Sequence, residues 1–194
     1  MSFIRIFSGA AWKGTKHYLK TQRICEIIRM VLFFGISGAL FLGGYLATGS
    51  RLNLLTIVAV LGILPASKSM VSAIMFCCHD SLSDDAASKI EPHVGTLTHL
   101  YDLVFTSNSK IYDVGHLTIK GNTACGYTEK KEFDEQAFQK HVQDLLKVDG
   151  HKNVTIKIFR DLSKYVDRLD QMQELSCDES MTNGIVETLK SVSL

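Results

Sequence analysis

Asp113, Glu129 and Lys131 are residue types that metal-assisted phosphodiester chemistry uses. Asp113 opens an alternating stretch and Glu129-Lys130-Lys131 closes the next one, with Gly121-Asn122 between them. Glycine and asparagine tolerate the positive φ of a tight hairpin turn, so antiparallel pairing about this dipeptide is expected to bring Asp113 close to Glu129. Two carboxylates so placed hold Mg²⁺ or Mn²⁺ through oxygen ligands, and the ion activates water. Register decides the outcome, because a slip of one residue sends Glu129 to the opposite face. The alternative is a solvated hairpin with charged strand ends.

Glu91 precedes this hairpin on an expected helix, and a helix and a strand follow it. The stretch from Glu91 to Lys131 resembles the PD-(D/E)xK nuclease core, in which an aspartate and a Glu-x-Lys at adjacent strand ends hold a divalent metal. The resemblance implies a membrane-tethered nuclease, acting on nucleic acid through Asp113, Glu129 and Lys131 with Mg²⁺ or Mn²⁺. The chain departs from that family in having Lys130 where an apolar residue is usual, and in lacking a proline before Asp113.

Other chemistry finds little support. The sequence holds no Walker loop, no G-x-G-x-x-G after a strand and no G-x-S-x-G. His93 and His99, six apart on an expected helix with Asp102 beyond, fall on different faces and make no metal pair. Cys25, Cys77, Cys78, Cys125 and Cys177 are odd in number and lack zinc-ligand spacing, which fits free thiols in a reducing compartment. No metal site and no resident cofactor is expected outside the nuclease reading.

The elements that position these residues begin with two apolar runs. Spans are expected at about 27–46 and 52–71, joined by Ala47-Thr48-Gly49-Ser50-Arg51, each near the ~20 helical residues that cross a bilayer. Pro65 lacks an amide donor and predicts a bend, and Lys68 falls where the second span ends, at the interface. Gly35, Ala39 and Gly43 line one side of the first span, and Ala59, Gly62 and Ala66 one side of the second. The two helices are expected to pack through these small residues, which also suit a homo-oligomer.

Residues 1–26 read as a basic amphipathic segment on an anionic leaflet, with Phe3, Phe7 and Tyr18 on one face and Lys13, Lys16, Lys20 and Arg23 elsewhere. Basic residues therefore crowd the chain before the first span, while Arg51 alone marks the loop between spans. The positive-inside rule places both termini in the cytoplasm, in the style of a bacterial inner or cell membrane protein. A mean hydropathy of +0.11 suits one membrane module plus one soluble domain.

Residues 79–194 read as that domain. Ile90, Val94, Leu97, Tyr101 and Val104 space as one helical face, with Pro92 in its first turn and Thr106-Ser107-Asn108-Ser109 ending it. Strands follow at 111–120 and 123–128, a helix at 133–148, a strand at 153–160, and helices at 162–175 and 181–192. The fold class expected is a membrane α-helical hairpin of two transmembrane helices followed by a small cytosolic α/β domain, in the order α, β-hairpin, α, β, α, α. The function expected is a non-catalytic interaction or sensing module that engages the lipid bilayer, a second copy or another protein. A small oligomeric pore is the further alternative, disfavoured by the absence of a polar stripe in the first span.

Overall fold

A computed structural model describes residues 12–107, 110–151, 153–174 and 179–194. They form two units, one of residues 19–79 and one that joins residues 12–18 to residues 80–194.

Two helices make the first unit, α1 (Tyr18–Thr48) and α2 (Leu54–Cys77). At 1.5 Å per residue their lengths reach about 46 and 36 Å, enough for a ~30 Å hydrocarbon core. Asn53 knits the turn between them. Its side chain caps α2 by accepting from the Thr56 amide at 2.8 Å, and donates to Thr48 Oγ1 at 3.1 Å and to the Ser50 carbonyl at 2.9 Å. Arg23 closes the other end, donating to the Phe76 and His79 carbonyls at 3.1 and 2.7 Å, where α2 leaves carbonyls unpaired. Pro65 lies inside α2, which continues through it without a break.

On α2, Ala59, Gly62, Ala66, Ser69, Ala73 and Phe76 turn inward at alternating steps of three and four, the spacing of a two-helix seam. Against it α1 presents Ser37 and Gly44. A Cβ on Gly62 would stand 2.5 Å from Ser37 Oγ, and one on Gly44 would stand 2.8 Å from Leu55 Cβ. The expected row of Gly35, Ala39 and Gly43 is therefore not what packs on α2. Added Cβ atoms on Gly35 and Gly43 meet nothing within 4 Å, and Ala39 is exposed. Ser37 and Gly44 are seven apart and stack along the helix axis, whereas the four-residue row lies on another flank.

The segment ahead of α1 also differs from expectation. Residues 1–11 lie outside the described residues, and residues 12–17 are turns rather than amphipathic helix. Lys13 donates to the carbonyls of Ser193 at 2.6 Å and Lys190 at 3.3 Å, Lys16 pairs with Glu91 at 2.7 Å, and His17 meets Asp84 at 3.1 Å. These side chains serve the folded unit formed with residues 80–194.

That unit runs α3 (Asp84–Val94), β1 (Thr98–Thr106), β2 (Ile111–Lys120), β3 (Thr123–Tyr127), α4 (Glu135–Val148), β4 (Thr155–Phe159), α5 (Leu162–Gln173) and α6 (Glu179–Val192). The sheet order is β1-β2-β3-β4, antiparallel except for β3 with β4, which the α4 crossover makes parallel. Phe138, Val142 and Leu146 of α4 and Ile185, Val186 and Leu189 of α6 bury one face of the sheet. Ala87, Ile90 and Val94 of α3 and Tyr165, Leu169 and Met172 of α5 bury the other. Asp134 caps α4 and receives Lys110 at 2.9 Å.

The expected single helix from Ile90 to Val104 is instead the end of α3 and nearly all of β1, and Pro92 sits in the last turn of α3. A strand covered on both faces shows a continuous apolar run, and here that run mimics helical spacing. A kink adds to the disguise. Asp102 adopts φ +54° facing Gly115, and side-chain direction inverts there on both strands. Leu100 before it, and Leu103 and Phe105 beyond it, thus share one core, while Tyr101 joins the other. Asp102 accepts the Leu82 amide at 2.8 Å, and aspartate tolerates the left-handed region better than most residues.

The outer edge of β1 is engaged by chain segments from both ends of the unit. The Tyr101 amide donates to Gly14 O and the Leu194 amide to Val104 O, each at 2.9 Å, and Phe105 bridges Ser193.

Asp102→Ala removes both a tolerant backbone and an acceptor, so urea unfolding of the protein in neutral detergent should show a loss of about 2 kcal/mol or more. Asp102→Asn should lose less. In the hairpin, Ala66→Leu overfills the seam and should cost about 1–3 kcal/mol in a detergent denaturation series. Gly43→Leu, on the open flank, should leave that stability unchanged.

Candidate functional site

The β2–β3 hairpin turns through Gly121-Asn122 as expected, and its pairing sets His116 across from Tyr127 and Lys120 across from Thr123. Extended past the last pair, this register places Asp113 level with Lys130 rather than Glu129. Lys130 accordingly reaches Asp113 with Nζ 3.3 Å from Oδ2. Thr128 donates its hydroxyl to the Asp113 carbonyl at 2.7 Å and accepts the Lys130 amide at 3.2 Å, locking the crossing.

Asp113 and Glu129 nevertheless line one cleft of about 230 Å³, together with Asp80, Ser81, Leu82, Gly115, Thr128 and Lys130. Glu129 is turned to the start of α3, where it accepts from the Ser83 amide at 3.1 Å and from the Ser83 hydroxyl. Ser83 in turn caps α3 through the Ala86 amide. Leu82 fills the floor: a Cβ on Gly115 would lie 2.7 Å from Leu82 Cδ1. Lys131 is exposed and does not line this cleft, and its carbonyl receives Arg160 at 3.3 Å. Glu91, paired with Lys16, stands elsewhere.

The donor set so placed does not make an ion site for Mg²⁺ or Mn²⁺. A cation between the carboxylates would have to displace Lys130 from Asp113 and Ser83 from Glu129. Among the described residues no three His, Cys, Asp or Glu side chains converge on a metal-sized point.

A second polar group lies inside the core and was not singled out from the sequence. His116 Nδ1 is 2.6 Å from Tyr165 Oη, which is 3.0 Å from Thr118 Oγ1 and donates to Cys125 O at 3.4 Å. Tyr101 packs on the His116 ring at 4.6 Å, and His99 stacks on it at 5.5 Å. His99 is thus on β1, while His93 on α3 meets Asp170 at 2.9 Å. His116 Nε2 is buried with no hydrogen-bond partner. Burial, with His99 adding to it, pushes the imidazole down to about 3, and burial raises the Tyr165 phenol. The imidazole is therefore neutral at physiological pH. The available signal was a histidine set among the apolar residues of a strand, though nothing in the sequence named Tyr165 as its partner.

Compared with models of known families, with curated proteins and with solved structures, the chain matches none. The geometry alone must carry any functional reading.

His116 predicts an acid limb of stability. Its folded-state value lies below the unfolded value of about 6.5, so the unfolded chain binds the proton first as pH falls. Its stabilisation is complete above pH ~6.5 and is lost progressively toward pH 3. Between pH 7 and pH 5 the loss should be about 2 kcal/mol. His116→Gln should lack that part of the pH dependence when urea midpoints of the two proteins are compared.

Proposed function

We propose that this protein is a two-pass membrane protein whose α/β unit lies in the cytosol and works as a non-catalytic interaction or sensing module. One observation carries the reading: the apolar side chains of α1 and α2 face outward nearly all round. Only 17% of the most apolar window of each helix is buried, with Leu64 68% and Val60 58% exposed. A bilayer removes that surface from water; a soluble chain would leave it wet.

Chain connectivity supports the layout: residues 12–18 and 80–194 belong to one folded unit, which favours a chain that leaves and re-enters the hairpin on the same side of the bilayer. The basic residues that precede the first span favour the cytosol, as in a bacterial cell membrane. Against catalysis stand the internal partners of Asp113 and Glu129 and the place of Lys131 outside their cleft. Gly35, Ala39 and Gly43, left open by the packing within the hairpin, suit the approach of a second copy.

Alkaline carbonate should leave the protein in the membrane pellet, and protease should remove a tag on Leu194 only after the membrane is opened. Release to the supernatant, or cleavage on intact cells, overturns the layout. Labelled DNA or RNA with Mg²⁺ or Mn²⁺ should stay intact; cleavage abolished by Glu129→Ala would restore the nuclease reading. Gly35→Leu with Gly43→Leu should reduce the particle mass measured in detergent if the open flank joins copies, and an unchanged mass removes self-association through it.

A further inference from the structure

The sheet face beneath α5 is not wholly covered. Tyr165 and Leu169 pack over β3 and its neighbours, and beyond them toward β4, the outer strand of the sheet, lies a cleft of about 470 Å³. That volume is within the range of small-ligand sites.

Its walls come from two periodicities that agree. Thr123 and Cys125 on β3 pair in register with Thr155 and Lys157 on β4, and each second residue of a strand faces the same side. Lys164, Asp167, Arg168 and Gln171 recur at helical spacing on the facing flank of α5. Three cations, one acid, two hydroxyls and the Phe159 ring thus converge on one space.

Each cation has a neighbour at the cleft, with Arg168 half-buried and Lys157 and Lys164 open to solvent. Arg168 donates to Gln171 Oε1 at 3.0 Å and shares the cleft wall with the buried Cys125. Lys157 Nζ lies 5.1 Å from the Phe159 ring centroid. Lys164 has Asp161 at 3.9 Å, a long and mostly exposed pair that a stronger anion can replace.

We propose that this cleft binds a phosphate monoester, with its phosphoryl oxygens on Arg168, Lys157 and Lys164 and its organic part toward Phe159. A monoester carries close to two negative charges at neutral pH, which matches three cations less Asp167. The planar guanidinium suits two phosphoryl oxygens at once, and the Thr123 and Thr155 hydroxyls can serve the remaining one. Binding here requires neither the membrane layout nor any catalysis, so the proposal and the reading above fail independently.

The test uses the full chain in neutral detergent and isothermal titration calorimetry. One arm titrates inorganic phosphate and a nucleoside monophosphate, and the other presents phosphatidic acid in the same micelles. Saturable binding is expected in at least one arm; the soluble arm identifies a free ligand, and binding confined to the second identifies a lipid headgroup. Arg168→Gln and Lys157→Gln should each weaken it by about ten- to a hundredfold. Lys147→Gln on α4, the same change of charge elsewhere, should leave it unaltered. An unchanged thermal midpoint shows that Arg168→Gln is folded, and exposed Lys157 gives an independent variant. Absence of saturable binding in both arms, or equal weakening by Lys147→Gln, overturns the proposal.

Discussion

The α/β unit depends on a sheet that packs an apolar cluster on each face, and the kink at Asp102 and Gly115 lets its first hairpin serve them both. Without the inversion, Leu100 would lie on the same side as Tyr101's present neighbours, and the row from Leu103 through Phe105 would not continue into Leu117 and Ile119. The positive φ is held by the carboxylate's bond to the Leu82 amide, and the same segment seats Leu82 against Gly115. Backbone strain, the seating of the α3 leader and the floor of the carboxylate cleft are thus one arrangement.

Legibility in the sequence followed how local each signal was. The β2–β3 hairpin, α4, β4 and α5 could be read because a turn dipeptide, a cap or an alternation marks each within a few residues. β1 could not, since a strand buried on both sides and kinked at its middle carries no alternation, and its apolar spacing continues that of α3. The turn was identified correctly, yet the level of Asp113 against Lys130 depends on pairing geometry at the far end of the ladder. Likewise the small residues of the two apolar helices were visible, but which flank of α1 faces α2 is set by Ser37 and Gly44, whose types alone do not distinguish them from Gly35 and Gly43. Tyr165 and His116 are 49 residues apart and meet only through the fold.

Charge distribution tells a related story. Lys13, Lys16 and Arg23 look, as letters, like a membrane-surface patch. In the structure Lys13 closes the C-terminal end of α6, Lys16 meets α3 through Glu91, and Arg23 finishes the last turn of α2. Cations near exposed carbonyls gain from the helix dipole, a local benefit that composition cannot separate from attraction to anionic lipid.

Lys13 and Ser193 touch across 180 positions of chain, and Leu194 supplies a ladder bond to β1. On a ribosome the first of these residues is made long before the last. The helical hairpin is therefore made while the sheet still has an open border, and the border closes only once Ser193 and Leu194 have been added. Chains released early would carry an unprotected strand edge, the feature that invites pairing with other nascent chains and marks a protein for quality control.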